Sequence, residues 1–319
     1  MEKTRAPRNQ TLTLSEEETK LYEGKLISLS QKVSLSEIID KTICQDMCEA
    51  ICLMPEGIAD VLVIDPPYNL RVKYGELQMH TMSDQEYLEY VMSWMPDVLR
   101  LLKPDGSVYV CCDWKSSTVI YQALVNCGIT IRNRITWQRE KGRGSKNNWK
   151  NSMEDIWYGV NDPKQFYFDV DAVKQKRKVI APYKTIDGEP KDWEETDEGR
   201  FRLTHPSNFW DDLSIPYWSM PENTDHPTQK PEKLIAKLLL ASCPEGGLVV
   251  DPFAGSGTTQ VVAKKLARHF VGIEQDRTYA CWGEKRLAMA EVNKRIQGFQ
   301  DGVFWERNTN ALQQKYKKK

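Results

Sequence analysis

From residue 43 onward the chain alternates between two kinds of apolar pattern. A helix carrying Cys48 and Ile51 leads into Val61, Leu62, Val63 and Ile64, a short β-branched run that suits a strand covered on both faces. Tyr87 to Leu102 then repeats its apolar positions at helical spacing. "KPDGSVYVCC" predicts a turn and a strand ending near Cys112, followed by a helix around Thr118 to Cys127 and a strand from Ile129 to Trp137. Strands alternating with helices predict an α/β fold built on a doubly wound, mostly parallel sheet. Residues 1–38 are polar, with a weak amphipathic hint in "KLISLSQKVSLSEIID", and read as an arm or peripheral helix.

Between 139 and 215 the alternation fails. Residues 139–184 carry eleven Lys or Arg against six Asp or Glu, and residues 187–199 carry seven acids against one Lys, as a solvated loop would. Lys141, Arg143, Lys146 and Lys150 are the candidate phosphate contacts, interleaved with aromatics that could stack on bases. Most of those aromatics, in "EDIWYGV" and "QFYFDV", also read as strand core. The sheet pattern returns at 216–300. "HPTQKPEKLIAKLLLASC" starts a helix near Pro231, with Leu234, Ile235, Leu238 and Leu239 on its buried face, and "GLVVDPFAGSGTTQVVAKKLARHFVGIEQD" reads as strand, Gly-rich turn, helix and strand. The expected layout is a core from 39–138 and 216–300, an insert at 139–215, and a basic tail at 301–319 ending in "KYKKK".

The chain's 319 residues can bury a large core, and its net charge of −1 supplies no global pull towards nucleic acid. No stretch of 18 apolar residues occurs and "MEKTRAPRNQ" lacks the apolar core of a signal peptide, so a cytoplasmic protein without membrane contact is expected. The eight cysteines form no CxxC pair. Cys44, Cys48 and Cys52 would share a helix face; with no His nearby, small apolar packing is expected and no metal site.

Two turns carry candidate chemistry. Asp65, Pro66, Pro67 and Tyr68 end the strand 61–64: the prolines stiffen the turn and would hold the acid and the phenol at the sheet's carboxyl edge, where open α/β folds bind ligands. An Asp-Pro pair alone is an ordinary strand-ending turn. In the second, Gly255 and Gly257 precede a helix at Thr258, and Glu274 ends the next strand 19 residues after Gly255. That register suits a ribose-bearing ligand, and a ligand with one ribose and no phosphate fits as well as a dinucleotide, because "GSGTTQ" has no third Gly.

With "DPPY" at 65–68, "HPTQKP" at 226–231 and "DPFAGSGTT" at 251–259, the chain resembles the β group of amino-group (adenine-N6 or cytosine-N4) DNA methyltransferases over about residues 40–295. The resemblance implies a Rossmann-like methyltransferase core with an inserted target-recognition region, S-adenosyl-L-methionine as methyl donor, and a flipped-out base of double-stranded DNA as acceptor. It assigns catalysis to Asp65, Pro66, Pro67 and Tyr68. Cofactor binding falls to Asp46, Asp65, His226, Thr228, Gln229, Lys230, Asp251, Phe253, Ala254, Gly255, Ser256, Gly257, Thr258 and Glu274. The family usually has Gly before the acid at 46, where this sequence has Gln45. Asp rather than Ser at 65 favours adenine, with cytosine as the alternative. The resemblance also raises a homodimer and a cognate restriction endonuclease on a separate chain.

In this chemistry the amino lone pair is delocalised into the ring. Asp65 and a prolyl carbonyl, that of Pro66, would accept its two hydrogens and favour a tetrahedral, nucleophilic nitrogen, while Tyr68 offers a face for the flipped base. His205 and His226, each beside a Pro, read as structural rather than as bases. Competing classes are a nicotinamide oxidoreductase, which leaves "DPPY" unexplained, a DNA-binding protein that keeps the fold without catalysis, and transfer to RNA or protein amino groups.

Overall fold

The computed structural model describes residues 6–69, 73–74, 77–78, 81–139, 146–180, 183–197 and 199–306. Its centre is an eight-stranded sheet in the order Lys41–Ile43, His269–Ile273, Leu248–Asp251, Ala59–Ile64, Leu102–Cys112, Met153–Val160, Thr130–Gln138 and Phe209–Trp210. Every pairing is parallel except the two made by Met153–Val160, which runs antiparallel between its neighbours. Helices cover both faces, as the two-sided burial of Val61 to Ile64 requires. Ile51, Tyr87, Val98 and Ile120 pack on one face, and Leu234, Leu238, Val261 and Leu287 on the other.

The helical period from Tyr87 is divided into Asp84–Met92 and Met95–Leu99, where Pro96 opens the second helix because its missing N–H needs no intrahelical partner there. The insert boundary moves. Residues 153–160, read as part of the insert, form a strand of the central sheet, and Phe209–Trp210 adds its edge. The "QFYFDV" stretch is not a strand: Asp162 and Asp169 close local turns on Lys164 and Ala172, leaving Tyr167 and Phe168 partly exposed.

What remains of the insert joins the chain's end. A second sheet runs Phe299–Gln300, Val303–Trp305, Gln175–Lys178, Gly199–Thr204 and Glu194–Thr196, so residues 301–305 are a turn and a strand of it and not tail. The rest of the basic tail, residues 307–319, lies outside the described residues.

The arm is fastened to the core. Its helix Glu16–Glu23 has a Ser15 capping box, Lys285 bonds Glu18 at 2.6 Å, and Ile27 bridges Ile43 at the sheet's edge. Cys44 precedes the helix Met47–Leu53, so the three cysteines do not share a helical face. Cys48 and Cys52 are exposed rather than packed. Among the described residues no cluster of His, Cys, Asp or Glu could hold a metal, and no helix is long and apolar enough to cross a membrane.

Candidate active site

Four parallel strands end at one edge of the central sheet, and their last residues and following turns build the site. Ala59–Ile64 delivers Asp65; Leu248–Asp251 delivers the Gly-rich turn; His269–Ile273 delivers Glu274; Lys41–Ile43 leads to Gln45 and Asp46. Because two prolines follow Asp65, the turn is stiff, and two contacts fix it further. The Tyr87 hydroxyl donates to the Pro67 carbonyl at 3.1 Å, and the Asn69 amide bonds the Met82 backbone in both directions, at 2.7 and 2.8 Å.

A cavity of about 330 Å³ opens beside this turn. Asp46, Asp65 to Tyr68, His226, Thr228, Phe253, Gly255 and Glu274 line it, so those sequence candidates converge on one space. Ala254, Ser256, Thr258, Asp251, Gln229 and Lys230 lie beneath it, around a hollow of about 30 Å³. Gly257 faces neither and packs against the backbone of Gly283 on the helix Arg277–Val292. Ser256 and Thr258 accept the buried Arg286 guanidinium at 2.8 and 2.9 Å. Gln229 closes the loop before it, accepting from Thr224 and donating to the Glu222 carbonyl.

Each carboxylate is held differently. Glu274 accepts the Gly255 and Asp276 N–H groups, both at 2.8 Å; burial raises its pKa and these donors oppose the rise. A carboxylate has about four acceptor positions, so two can still face the cavity. Asp251 accepts the Phe253 N–H at 3.0 Å, and burial lifts its pKa to about 7. Asp46 caps the helix Met47–Leu53 through the N–H of Cys48 and Glu49. His226 is neutral: burial, then Lys230 and Arg286, lower it to about 4. Its ring occupies the space that a side chain at Gly255, whose φ is +53°, would need.

Lys230, assigned to the cofactor by resemblance, is bonded to the catalytic turn. Its ammonium lies 2.8 and 2.7 Å from the two Asp65 oxygens and 3.1 Å from the Tyr68 hydroxyl. Burial works against its charge, yet Asp65 and Glu154 outweigh that and raise its pKa. The Tyr68 hydroxyl lies 3.0 Å from Asp65 Oδ1, and burial followed by the nearby carboxylates pushes its pKa well up.

Several lining residues were not singled out in the sequence. Tyr90 and Trp94 continue from Tyr87 at helical spacing, and Trp94 meets Phe253 edge-on at 5.3 Å. Gln45 grips the arm, accepting the Leu29 N–H at 2.9 Å and donating to the Leu29 carbonyl at 3.2 Å. Of the proposed DNA contacts, Lys146 and Lys150 are exposed on the segment that leaves this sheet edge, flanking a Trp149 that is 93% exposed, while Lys141 and Arg143 lie outside the described residues. His205 is exposed, 3.4 Å from Asp171.

Among the described lining residues of the larger cavity there is no Lys or Arg, while Asp46, Asp65 and Glu274 are present. That donor set disfavours the pyrophosphate of a dinucleotide. It fits S-adenosylmethionine, with a sulfonium, one ribose and no phosphate, and the aromatic wall fits a flat purine.

A family profile described as DNA methylase matches residues 59–284. The type II methyltransferase M.HpaI of Haemophilus parainfluenzae is 32% identical over 248 residues, 77% of this chain and 74% of that protein. The DNA adenine methyltransferase YhdJ of Escherichia coli (strain K12) is 31% identical over 238 residues, 74% of this chain and 79% of that protein. Among solved structures, the M1.HpyAVI–SAM complex superposes with a TM-score of 0.53 at 22% identity, covering 77% of this chain and 98% of that one. The cytosine-N4-specific PvuII DNA methyltransferase does so with a TM-score of 0.55 at 17% identity, over 83% and 93%.

Proposed function

The chain belongs to the DNA methylase family, and from that membership we propose how its residues divide the reaction. It is an S-adenosylmethionine-dependent DNA methyltransferase acting on the 6-amino group of adenine. The observation that carries the proposed roles is Asp65, a carboxylate held by a stiff diprolyl turn at the lip of an acidic, aromatic cavity.

S-adenosylmethionine, when bound, supplies a methyl group on a positively charged sulfur. Glu274 and Asp46 would hold the ribose and the methionine end, Trp94 and Phe253, which meet edge-on, would form the wall against the purine, and His226, being neutral, would add no repulsion to the cation. Asp65 accepts one amino hydrogen of the target adenine. The Pro67 carbonyl is engaged by Tyr87, so the second hydrogen is assigned to the Pro66 carbonyl. Loss of conjugation then leaves a nucleophilic nitrogen, and in-line displacement needs mainly alignment of two bound reactants. Lys146 and Lys150 contact phosphates, and residues 139–152 with the second sheet form the recognition region. Self-association, supported by the half-exposed Tyr121 and Val125 one turn apart on a helix, a separate cognate endonuclease and a cytoplasmic setting complete the proposal.

The test is transfer of labelled methyl from S-adenosylmethionine to mixed-sequence duplex DNA, by the native protein and Asp65→Ala, followed by nucleoside analysis. Methyladenine that disappears with the substitution is expected. Methylation that survives it removes Asp65 from the mechanism.

A further inference from the structure

Asp65 can accept an amino hydrogen only if a lone pair faces the base, yet of its about four acceptor positions two receive the Lys230 ammonium and a third the Tyr68 hydroxyl. A neutral amino N–H is a weaker donor than an ammonium and does not displace it unaided. The counterweight lies across the sheet. Glu154, at the start of the antiparallel strand Met153–Val160, is almost fully buried, with Oε2 3.5 Å from Lys230 Nζ and 3.3 Å from the Tyr68 hydroxyl. Its other oxygen pairs with Arg139. Two carboxylates therefore share one buried ammonium and one phenol. Arg139 begins the basic segment carrying Lys146, Trp149 and Lys150, and its backbone N–H bonds the Ser152 carbonyl, closing that segment's base.

We propose that Glu154 is a positioning residue for methyl transfer: by sharing Lys230 and the Tyr68 hydroxyl with Asp65 it weakens their hold on Asp65, so that an Asp65 lone pair can serve the target amino group. The inference rests on Asp65 being the acceptor. Without the charge at 154, Lys230 and Tyr68 are held by Asp65 alone and more tightly, because in a buried site an ammonium follows the remaining carboxylate. Arg139, bonded to the same carboxylate, makes the setting responsive to the segment that meets DNA.

Glu154→Gln keeps the size and a hydrogen-bond acceptor while removing the charge. In single-turnover methyl transfer to duplex DNA, the expected loss is about tenfold or more, with the S-adenosylmethionine Kd within about threefold of native. A double-mutant cycle separates positioning from general structural support. If Glu154 acts through Lys230, Glu154→Gln adds no further loss in a Lys230→Met background, whereas a structural role slows both backgrounds equally. A native-like rate for Glu154→Gln, or additive losses in the cycle, overturns the proposal. Should Glu154→Gln not fold, the same cycle with Glu154→Asp, which keeps the charge but withdraws it by one methylene, reads the same coupling at smaller size. Failure of the native protein to methylate DNA would instead count against the assigned reaction, so the two failures are distinguishable.

Discussion

Gly255 and Gly257, two residues apart, are expected to fail in different ways when each gains a methyl group. Gly257 has φ +73° and ψ 27° at the start of the helix Thr258–Lys265, and a Cβ there would stand 2.8 Å from the Gly283 Cα. The left-handed conformation costs a non-glycine residue roughly 1–2 kcal/mol. Overpacking adds about 1–3 kcal/mol, at the upper end here because backbone meets backbone within a buried helix pair. Gly257→Ala is therefore expected to lose about 2–5 kcal/mol, which at about 2–4 °C per kcal/mol lowers the ligand-free Tm by roughly 4–20 °C. Gly255, at φ +53°, carries similar backbone strain, but its Cβ would meet the His226 ring at 2.9 Å, and a side chain can yield. The ring would yield into the cavity. Gly255→Ala should thus show the smaller Tm loss and raise the S-adenosylmethionine Kd about tenfold, the equivalent of about 1.4 kcal/mol. Differential scanning calorimetry without ligand and isothermal titration with S-adenosylmethionine measure the two. A Gly257→Ala Tm within about 2 °C of native, or a Gly255→Ala protein that is the less stable of the two yet binds normally, refutes the reasoning.

Two further outcomes are expected. Burial lifts Asp251 from 3.8 to about 7, so between those values the folded protein keeps a proton that the unfolded chain has released. That contribution is complete below about pH 4 and is lost as pH rises through about 7, so the native stability minus that of Asp251→Asn, from denaturant titrations, should fall across the window and level above it; a difference constant from pH 4 to 8 contradicts the assignment. Trp149→Ala should weaken DNA binding by about tenfold, since stacking on a base contributes roughly 1–3 kcal/mol, and leave the S-adenosylmethionine Kd unchanged; unchanged DNA affinity in an anisotropy titration removes Trp149 from the interface.

The centre of the parallel core was legible because Ala59–Ile64 and Leu248–Asp251 carry continuous apolar runs and both lead into turns of Pro or Gly. Tyr90 and Trp94 could also have been read, as they continue the helical spacing from Tyr87. The insert boundary could not. "EDIWYGV" reads as a buried strand, but neither periodicity nor composition says which sheet it joins, and the segment separating it from Gln138 is polar and basic apart from Trp149 and Met153. The arm was obscured for a related reason. Its polar composition suits a surface, and the surface it occupies is the edge of the sheet, where Ile27 pairs with Ile43 and Gln45 clasps Leu29.

Buried charge was the least legible feature, because an Asp or Lys looks alike in sequence whether it is solvated or paired in the core. On the helix Glu232–Ser242 the apolar face was evident, yet Lys233 and Lys237 on its other side are also buried, held 2.7 and 2.6 Å from Asp212, and Lys233 also bonds the Trp305 carbonyl. Burying an ammonium without a partner is strongly unfavourable, so these lysines require Asp212 from the insert and Trp305 from the chain's end. The same logic governs Lys230, whose partners Asp65 and Glu154 come from strands distant in sequence. The insert and the last strands are therefore not a separately hinged module: they complete charges that the core helix could not bury alone.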